Sequence, residues 1–289
     1  MTPEPPPVLT RPPPDLAGWA GLFDAAALPV LAETAAEIEE WRANEDAVDA
    51  HLLAESIAQD PLMTLKLYAN LAQTRKSRPA LRDHDARSDV ETVTAALVML
   101  GIGPFFRAFG PQPVAEDWLK AEARALDGFR GVLQRARRAA AFSIGFAVHR
   151  MDHDAGVLHE AALLHDFAEL LLWLRAWPMA LSIQQRQRDD PQLRTAQIQR
   201  ELLNVELPAL QHRLMVSWQL PALLVRCTDD RHVEDIQVRN VLLAIRVARH
   251  SAEGWDNPAL PDDVRDIAEL LHLGEAPTLR LLRDIDADL

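Results

Sequence analysis

Apolar positions recur at intervals of three and four residues along most of the chain after residue 20, which is the period of an amphipathic α-helix. The segments LPVLAETAAEIEEW (28–41) and AVDAHLLAESIAQ (47–59) both place apolar residues on one face and acids on the other. No segment shows the two-residue alternation of a half-buried strand. The pattern therefore predicts an all-α protein.

Capping signals mark the ends of several predicted helices. Asp60 precedes Pro61 at the start of DPLMTLKLYANLA, where an N-cap carboxylate and a proline at the first helical position are both favourable. Ser88 and Glu91 form a capping-box pattern, and Gly101 ends the run that follows. Further helices are predicted over 117–126, 130–149, 157–176, 178–187, 195–203, 208–219, 221–228, 235–252, 261–271 and 276–285.

The domain organisation follows from where the helical pattern starts. Residues 1–14 contain seven of the chain's 20 prolines, so a disordered proline-rich tail is expected over residues 1–18. No sharp change of composition follows residue 20, which predicts a single multi-helix domain. The apolar stripe VRNVLLAIRVA (238–248) indicates that the C-terminal helices of residues 233–289 pack on this core.

Composition narrows the classes of partner. The 289 residues carry a formal charge of -13, which repels a phosphate backbone, so nucleic-acid binding is not expected. No apolar run approaches the length of a membrane span. Cys227 is the single cysteine and the N-terminus lacks a secretion-signal pattern, which favours a cytoplasmic location. Partners should be proteins or small ligands.

The candidate chemistry centres on EAALLHDFAELLLW (160–173), which places His165 and Asp166 inside a predicted helix. Neighbouring helical residues diverge by about 100°, yet both can reach an ion held in a groove between helices. A metal centre needs at least three protein ligands, so other helices would have to supply more. The pair is either part of a metal site or a hydrogen-bonded remnant of one. Two basic islands, 74–82 and 135–138, are candidate anion contacts or solvated surface.

Five segments together carry a family resemblance: LPVLAETAAEIEEW, SIAQDPLMTLKLYANLA, VETVTAALVMLG, EAALLHDFAELLL and WQLPALLVRCTDDRH. Their order and spacing resemble the HDOD domain, a bacterial signalling relative of the HD metal-dependent phosphohydrolases. The resemblance covers residues 23–232. It implies an all-helical HD-like fold, an absent or degraded metal centre and a regulatory role rather than catalysis. The residues that match family motifs are Asp60, Pro61, Asn70, His165, Asp166, Trp218, Pro221 and His232.

The chain departs from the HD ligand pattern at several positions. The early ligand position aligns with residues 135–138 and the late aspartate with the neighbourhood of Arg249, so both regions supply arginine. A histidine frequent in HDOD domains aligns with Leu207, and the usual pair of histidines after Trp-x-Leu-Pro is Arg231 and His232. Asn70 is followed by Leu71 where the family often has serine.

These departures suggest that an arginine replaces the metal's charge. A carboxylate buried without a cation costs several kcal/mol, and a guanidinium can satisfy both of its oxygens. Arg138 and Arg249 are the candidate charge partners of Asp166. No catalytic residue, metal ligand or cofactor is then expected.

Three functions stay open at this point. The leading hypothesis is a non-catalytic signalling module, a pseudoenzyme that binds a protein partner or a small regulatory ligand. The alternative is a metal-dependent phosphohydrolase of nucleotides or cyclic dinucleotides that uses His165 and Asp166 as metal ligands. The third is a nucleotide-like ligand held without turnover, its phosphate bound by arginines of residues 75–87 or 135–138.

Overall fold

The computed structural model describes residues 5–77, 90–190 and 192–289. Within these ranges the chain is helical and contains no strand, in agreement with the predicted all-α class. One isolated parallel bridge joins Val30 to Val114. None of the described helices is both long enough and apolar enough to cross a membrane.

The helices fall into two compact units. Unit 1 comprises Met1–Arg130 and Asp166–Pro221, and unit 2 comprises Gly131–His165 and Ala222–Leu289. The helices are α1 (Leu16–Ala20), α2 (Ala32–Arg42), α3 (Ala50–Ile57), α4 (Pro61–Ser77), α5 (Val93–Leu100), α6 (Ile102–Ala108), α7 (Ala115–Leu119), α8 (Ala123–His149), α9 (Ala155–Leu164), α10 (Phe167–Asp189), α11 (Thr195–Leu203), α12 (Leu207–Ser217), α13 (Ala222–Cys227), α14 (Ile236–His250), α15 (Leu260–Leu271) and α16 (Glu275–Ala287). Short 3-10 turns occur at Ala25–Ala27 and Glu45–Ala47.

Asp60 organises the start of α4 in unit 1. Its side chain is fully buried, and Oδ1 accepts hydrogen bonds from the amides of Leu62 and Met63 at 2.8 and 3.0 Å. Oδ2 accepts from the amide of Leu31 at 2.8 Å, so the same carboxylate also fixes the chain that enters α2. Burial raises the pKa of Asp60, and the hydrogen bonds oppose that rise. The predicted N-cap therefore joins two helices as well as capping one.

The described part of the proline-rich segment makes defined contacts in unit 1. The amide of Leu9 donates to the carbonyl of Arg175 at 2.7 Å, and Asn204 Nδ2 donates to the carbonyl of Pro13 at 3.0 Å. Asp15 caps α1, which begins inside the expected tail. The disorder expected over residues 1–18 is thus not what residues 5–18 display.

The C-terminal helices lie in unit 2 together with α9. The central helix of this group is α14, which packs against both α9 and α15. Asn240 and Ser143 are fully buried, and the hydroxyl of Ser143 lies 2.8 Å from Asn240 Oδ1. α14 begins after Asp235, whose side chain accepts from the amide of Gln237 at 2.9 Å.

Two local features differ from the sequence predictions. The predicted capping residue Ser88 lies outside the described residues, and α5 is capped instead by Thr92, whose Oγ1 accepts from the amide of Ala95 at 3.2 Å. The segments predicted as separate helices on either side of Trp177 belong to α10, which is kinked at Ala176 (φ -145°, ψ 40°). Pro178 accounts for the kink, because a proline inside a helix removes one backbone hydrogen bond and its ring clashes with the carbonyl four residues earlier, which is that of Leu174.

Candidate functional site

The His165–Asp166 pair lies between two helices. α9 ends at Leu164 with His165 as its C-cap, and Asp166 is the N-cap of α10 with φ -113° and ψ 20°. The sequence prediction of one helix over 157–176 is therefore wrong at these two residues. A helix break changes where the side chains point, so the helical spacing between His165 and Glu169 does not apply.

His165 is held by an acidic residue of the loop before α14. Its imidazole Nε2 lies 2.9 Å from Oδ1 of Asp230, and both residues belong to unit 2. The His165 side chain is 7% exposed, whereas that of Asp230 is 44% exposed. The pair thus joins a buried imidazole to a carboxylate that reaches solvent.

Other charges of this loop pair with each other. Arg231 Nε and Nη2 donate to the two carboxylate oxygens of Asp229 at 2.8 and 2.6 Å, which lowers the pKa of Asp229 to about 2. His232 is exposed and lies 3.2 Å from Oε1 of Glu234. This loop therefore contains one Arg–Asp ion pair and two histidine–carboxylate contacts, of which the contact between His165 and Asp230 is the buried one.

Metal ligation does not fit the donor set found here. No group of three or more His, Cys, Asp or Glu side chains that could hold a metal ion occurs within residues 5–77, 90–190 and 192–289. A protein metal centre needs at least three such ligands. Burial lowers the pKa of His159, on α9, to about 4.

Arg138, a candidate charge partner of Asp166, forms a buried network inside unit 2. Its Nε donates to Oδ1 of Asp286 at 2.8 Å, Nη1 donates to the carbonyl of Ala248 at 3.0 Å, and Nη2 donates to the hydroxyl of Ser251 at 2.8 Å. Arg138 is 8% exposed, and these three groups accept the hydrogen bonds of its buried guanidinium. The guanidinium holds α16 against α8 and the end of α14.

Asp166 and Arg249 are the residues of the second predicted ion pair. Asp166 is half-buried and Arg249 is exposed at the end of α14. Both residues take part in interactions within the described chain. Pairing of Asp166 with Arg138 or Arg249 stays a prediction.

The remaining motif residues are placed in unit 1 and have structural roles there. Trp218 stacks on Phe167 with ring centroids 5.9 Å apart, and Pro221 is the last residue of the unit. Pro61 opens α4 after the Asp60 cap. Asn70 is on the same helix, and its Oδ1 is buried without a hydrogen-bond partner among the described residues.

Comparison with known proteins identifies the fold family. The family model of the HDOD domain matches residues 28–233, which is more than half of the chain. The chain belongs to the HDOD family. No curated protein sequence gives a significant match.

Two solved structures share the fold of this chain. The response regulator MmoQ of Methylococcus capsulatus str. Bath is 20% identical with a TM-score of 0.61, and the alignment covers 90% of this chain and 99% of that one. A virulence factor of Campylobacter jejuni subsp. jejuni is 17% identical with a TM-score of 0.63, and the alignment covers 93% and 94%. These identities establish a shared fold alone.

Within this HDOD domain, Asp230 is the site residue that the sequence prediction missed. It directly precedes Arg231 and His232, the positions where the family resemblance implies paired histidines. Two adjacent acids in CTDDRH were the available signal, because a carboxylate is a natural partner for a buried imidazole. Which helix contributes the imidazole follows only from the tertiary fold.

Proposed function

We propose that this HDOD protein is a non-catalytic regulatory module of a signalling pathway. It binds a protein partner or a small regulatory ligand in the cytoplasm and does not turn over phosphoesters. The observation that carries this proposal is the 2.9 Å contact between His165 Nε2 and Asp230 Oδ1.

In that contact Nε2 of His165 faces a protein carboxylate. Acidic partners of metal-binding histidines bond to the ring nitrogen that does not face the metal. In the same loop, Arg231 donates two hydrogen bonds to the carboxylate of Asp229. An ion-paired loop is the arrangement expected where a metal centre has been replaced by protein charges.

The signalling role is supported by family membership and by the name of one structural relative. The resemblance to HDOD domains implies a regulatory role, and the structural relative MmoQ is named a response regulator. A surface of helices and loop charges, rather than a metal-activated water, would then be the functional part of the chain. The competing function is a metal-dependent phosphohydrolase that uses His165 and Asp166.

A hydrolysis assay tests the proposal. Full-length protein is incubated with cyclic di-GMP, cyclic di-AMP and p-nitrophenyl phosphate, each with Mn²⁺, Mg²⁺ or Fe²⁺, and products are separated by chromatography. We expect no turnover above that of His165→Ala. Metal-dependent turnover that is lost in His165→Ala and Asp166→Ala, but kept in the exposed control His212→Ala, would establish the phosphohydrolase instead.

A further inference from the structure

Unit 1 contains a cavity of about 370 Å³ that none of the motif residues lines. Its walls come from the 3-10 turn near Phe23, the segment 111–113, Trp118 and the α10 residues Leu171 and Leu174. This volume lies within the range of small-molecule sites, and mostly apolar walls with a few polar groups are typical of them. Three charged residues also line it: Asp24, Lys66 and Arg175.

Lys66 brings a buried cation to the cavity. The residue is 4% exposed, and its Nζ donates to the carbonyl of Leu28 at 2.5 Å. An ammonium has three protons to donate, and buried charges in proteins are normally paired with an opposite charge. Among the described residues, Asp60 and Asp24 attract this ammonium, while its hydrogen bond goes to the Leu28 carbonyl. Burial lowers its pKa to about 8, so the group is still mainly protonated at neutral pH.

Arg175 adds a second cation with unused donors. Its Nε is buried and has no hydrogen-bond partner among the described residues. Burial also lowers the pKa of this guanidinium, although it stays charged. The fixed geometry of a guanidinium suits a carboxylate, which can accept two parallel hydrogen bonds.

The charge balance of the lining favours an anion. Asp24 is the one acid of the lining, and its Oδ1 already accepts from the amide of Ala26 at 3.0 Å as the cap of the 3-10 turn. Two cations and one exposed acid leave the cavity with a net positive charge in a protein whose formal charge is -13. A single negative charge on the ligand would neutralise it.

We propose that this cavity binds a small organic carboxylate whose acid group pairs with Lys66 and Arg175 and whose apolar body packs against Phe23, Trp118 and Leu171. The inference rests on the proposed regulatory function, for which it names the class of small ligand. A phosphomonoester or a cyclic dinucleotide fits less well, because it would bring two negative charges to a lining whose net charge is near +1.

Lysine NMR offers a direct test, because the chain has three lysines: Lys66, Lys76 and Lys120. Full-length protein labelled with ¹³C at lysine Cε is titrated with butanoate, hexanoate, octanoate and indole-3-acetate, and Lys66→Met assigns the signal. Hexanol is the neutral control probe, and inorganic phosphate and cyclic di-GMP are the alternative anions. We expect at least one carboxylate to shift the Lys66 signal saturably, while hexanol does not.

Affinity changes in variants locate the site. Calorimetry should show binding of the same carboxylate weakened about 10-fold or more in Lys66→Met and in Arg175→Gln, since each removes a charge-assisted hydrogen bond. Arg175→Lys should lose less. The matched controls are Lys120→Met, an exposed lysine of unit 1, and Arg188→Gln, an exposed arginine on the same helix as Arg175. Circular dichroism checks that each variant is folded.

The outcomes separate this inference from the proposed function. No saturable shift with any carboxylate, or binding that both cavity variants leave unchanged, would overturn the carboxylate site while the regulatory proposal stands. Phosphate or cyclic di-GMP binding that requires Lys66 and Arg175, without carboxylate binding, would also overturn it. Metal-dependent hydrolysis would refute the proposed function whether or not the cavity binds carboxylates.

Discussion

Lys66 places an ammonium on the buried side of α4, and this buried charge destabilises the folded state. Its pKa falls from 10.5 to about 8 because burial removes water from the charge. Below pH 8 the folded and unfolded chains are both protonated at Lys66, and the penalty for burial is present in full. Between pH 8 and 10.5 the unfolded chain binds the proton more tightly, so stability rises with pH in this window.

Lys66→Met should therefore stabilise the protein at neutral pH. The lowering of the pKa corresponds to about 3 kcal/mol, and losing the bond to the Leu28 carbonyl returns about 1 kcal/mol. The expected gain is about 2 kcal/mol in the free energy of unfolding at pH 7, measured by urea denaturation without added ligand. The advantage over wild type should shrink from pH 8 to pH 10. An equal difference at all these pH values, or a loss at pH 7, would contradict the assignment.

At the scale of elements, the carboxylate of Asp286 links α16 to other elements of unit 2. Asp286 accepts from Arg138 Nε at 2.8 Å and from Trp255 Nε1 at 3.1 Å. Close packing adds to this: a Cβ on Gly145 of α8 would lie 2.5 Å from Cδ1 of Ile285. The absence of a side chain at Gly145 lets the two helices approach.

Asp286→Asn tests this attachment. The amide cannot neutralise the guanidinium of Arg138, which would be left buried with an uncompensated charge. We expect a loss of about 2 kcal/mol in stability and faster hydrogen exchange confined to α16 and the end of α14. Asp284→Asn, the same change at an exposed position of α16, should alter neither. Equal behaviour of the two variants would remove Asp286 from this role.

At the scale of the whole molecule, the HDOD family match ends earlier in the chain than unit 2 does. The HDOD match stops at residue 233, whereas unit 2 continues through α14, α15 and α16. α9 packs against α14, and its residues Leu158 and Ala161 are fully buried. Because α14 packs against α9, we expect the C-terminal helices to complete the core that contains α9.

A chain that ends at residue 233 should fail to form an ordered unit 2. Loss of α14 exposes apolar surface on α9, so we expect dye binding to exposed hydrophobic surface, weakened near-ultraviolet circular dichroism and rapid proteolysis between residues 131 and 165. A chain that ends at residue 287 keeps every helix and serves as the control. A well-folded, protease-resistant product ending at 233 would show that the HDOD segment is independent of these helices.

Sequence reasoning succeeded where the cause was local. The Asp60 cap and the helix predicted over 235–252 follow from residues next to each other in the chain, and α4 and α14 begin at Pro61 and Ile236. The helix break at His165 was not predictable from the spacing of apolar residues, because that spacing continues on both sides of it. The partners Asp230 and Asp286, and the presence of Lys66 and Arg175 in the lining of one cavity, depend on packing between distant segments. A lysine inside the apolar run DPLMTLKLYANLA was the one sequence sign of the cavity.

Metal content tests whether protein charges have replaced the HD metal centre around His165. Full-length protein, purified without chelator and then equilibrated with Zn²⁺, Mn²⁺ or Fe²⁺, is desalted and its metal content is determined by mass spectrometry. We expect far less than one bound ion per chain, and the same trace amount in His165→Ala. One or two ions retained per chain, and lost in both His165→Ala and Asp166→Ala, would contradict it.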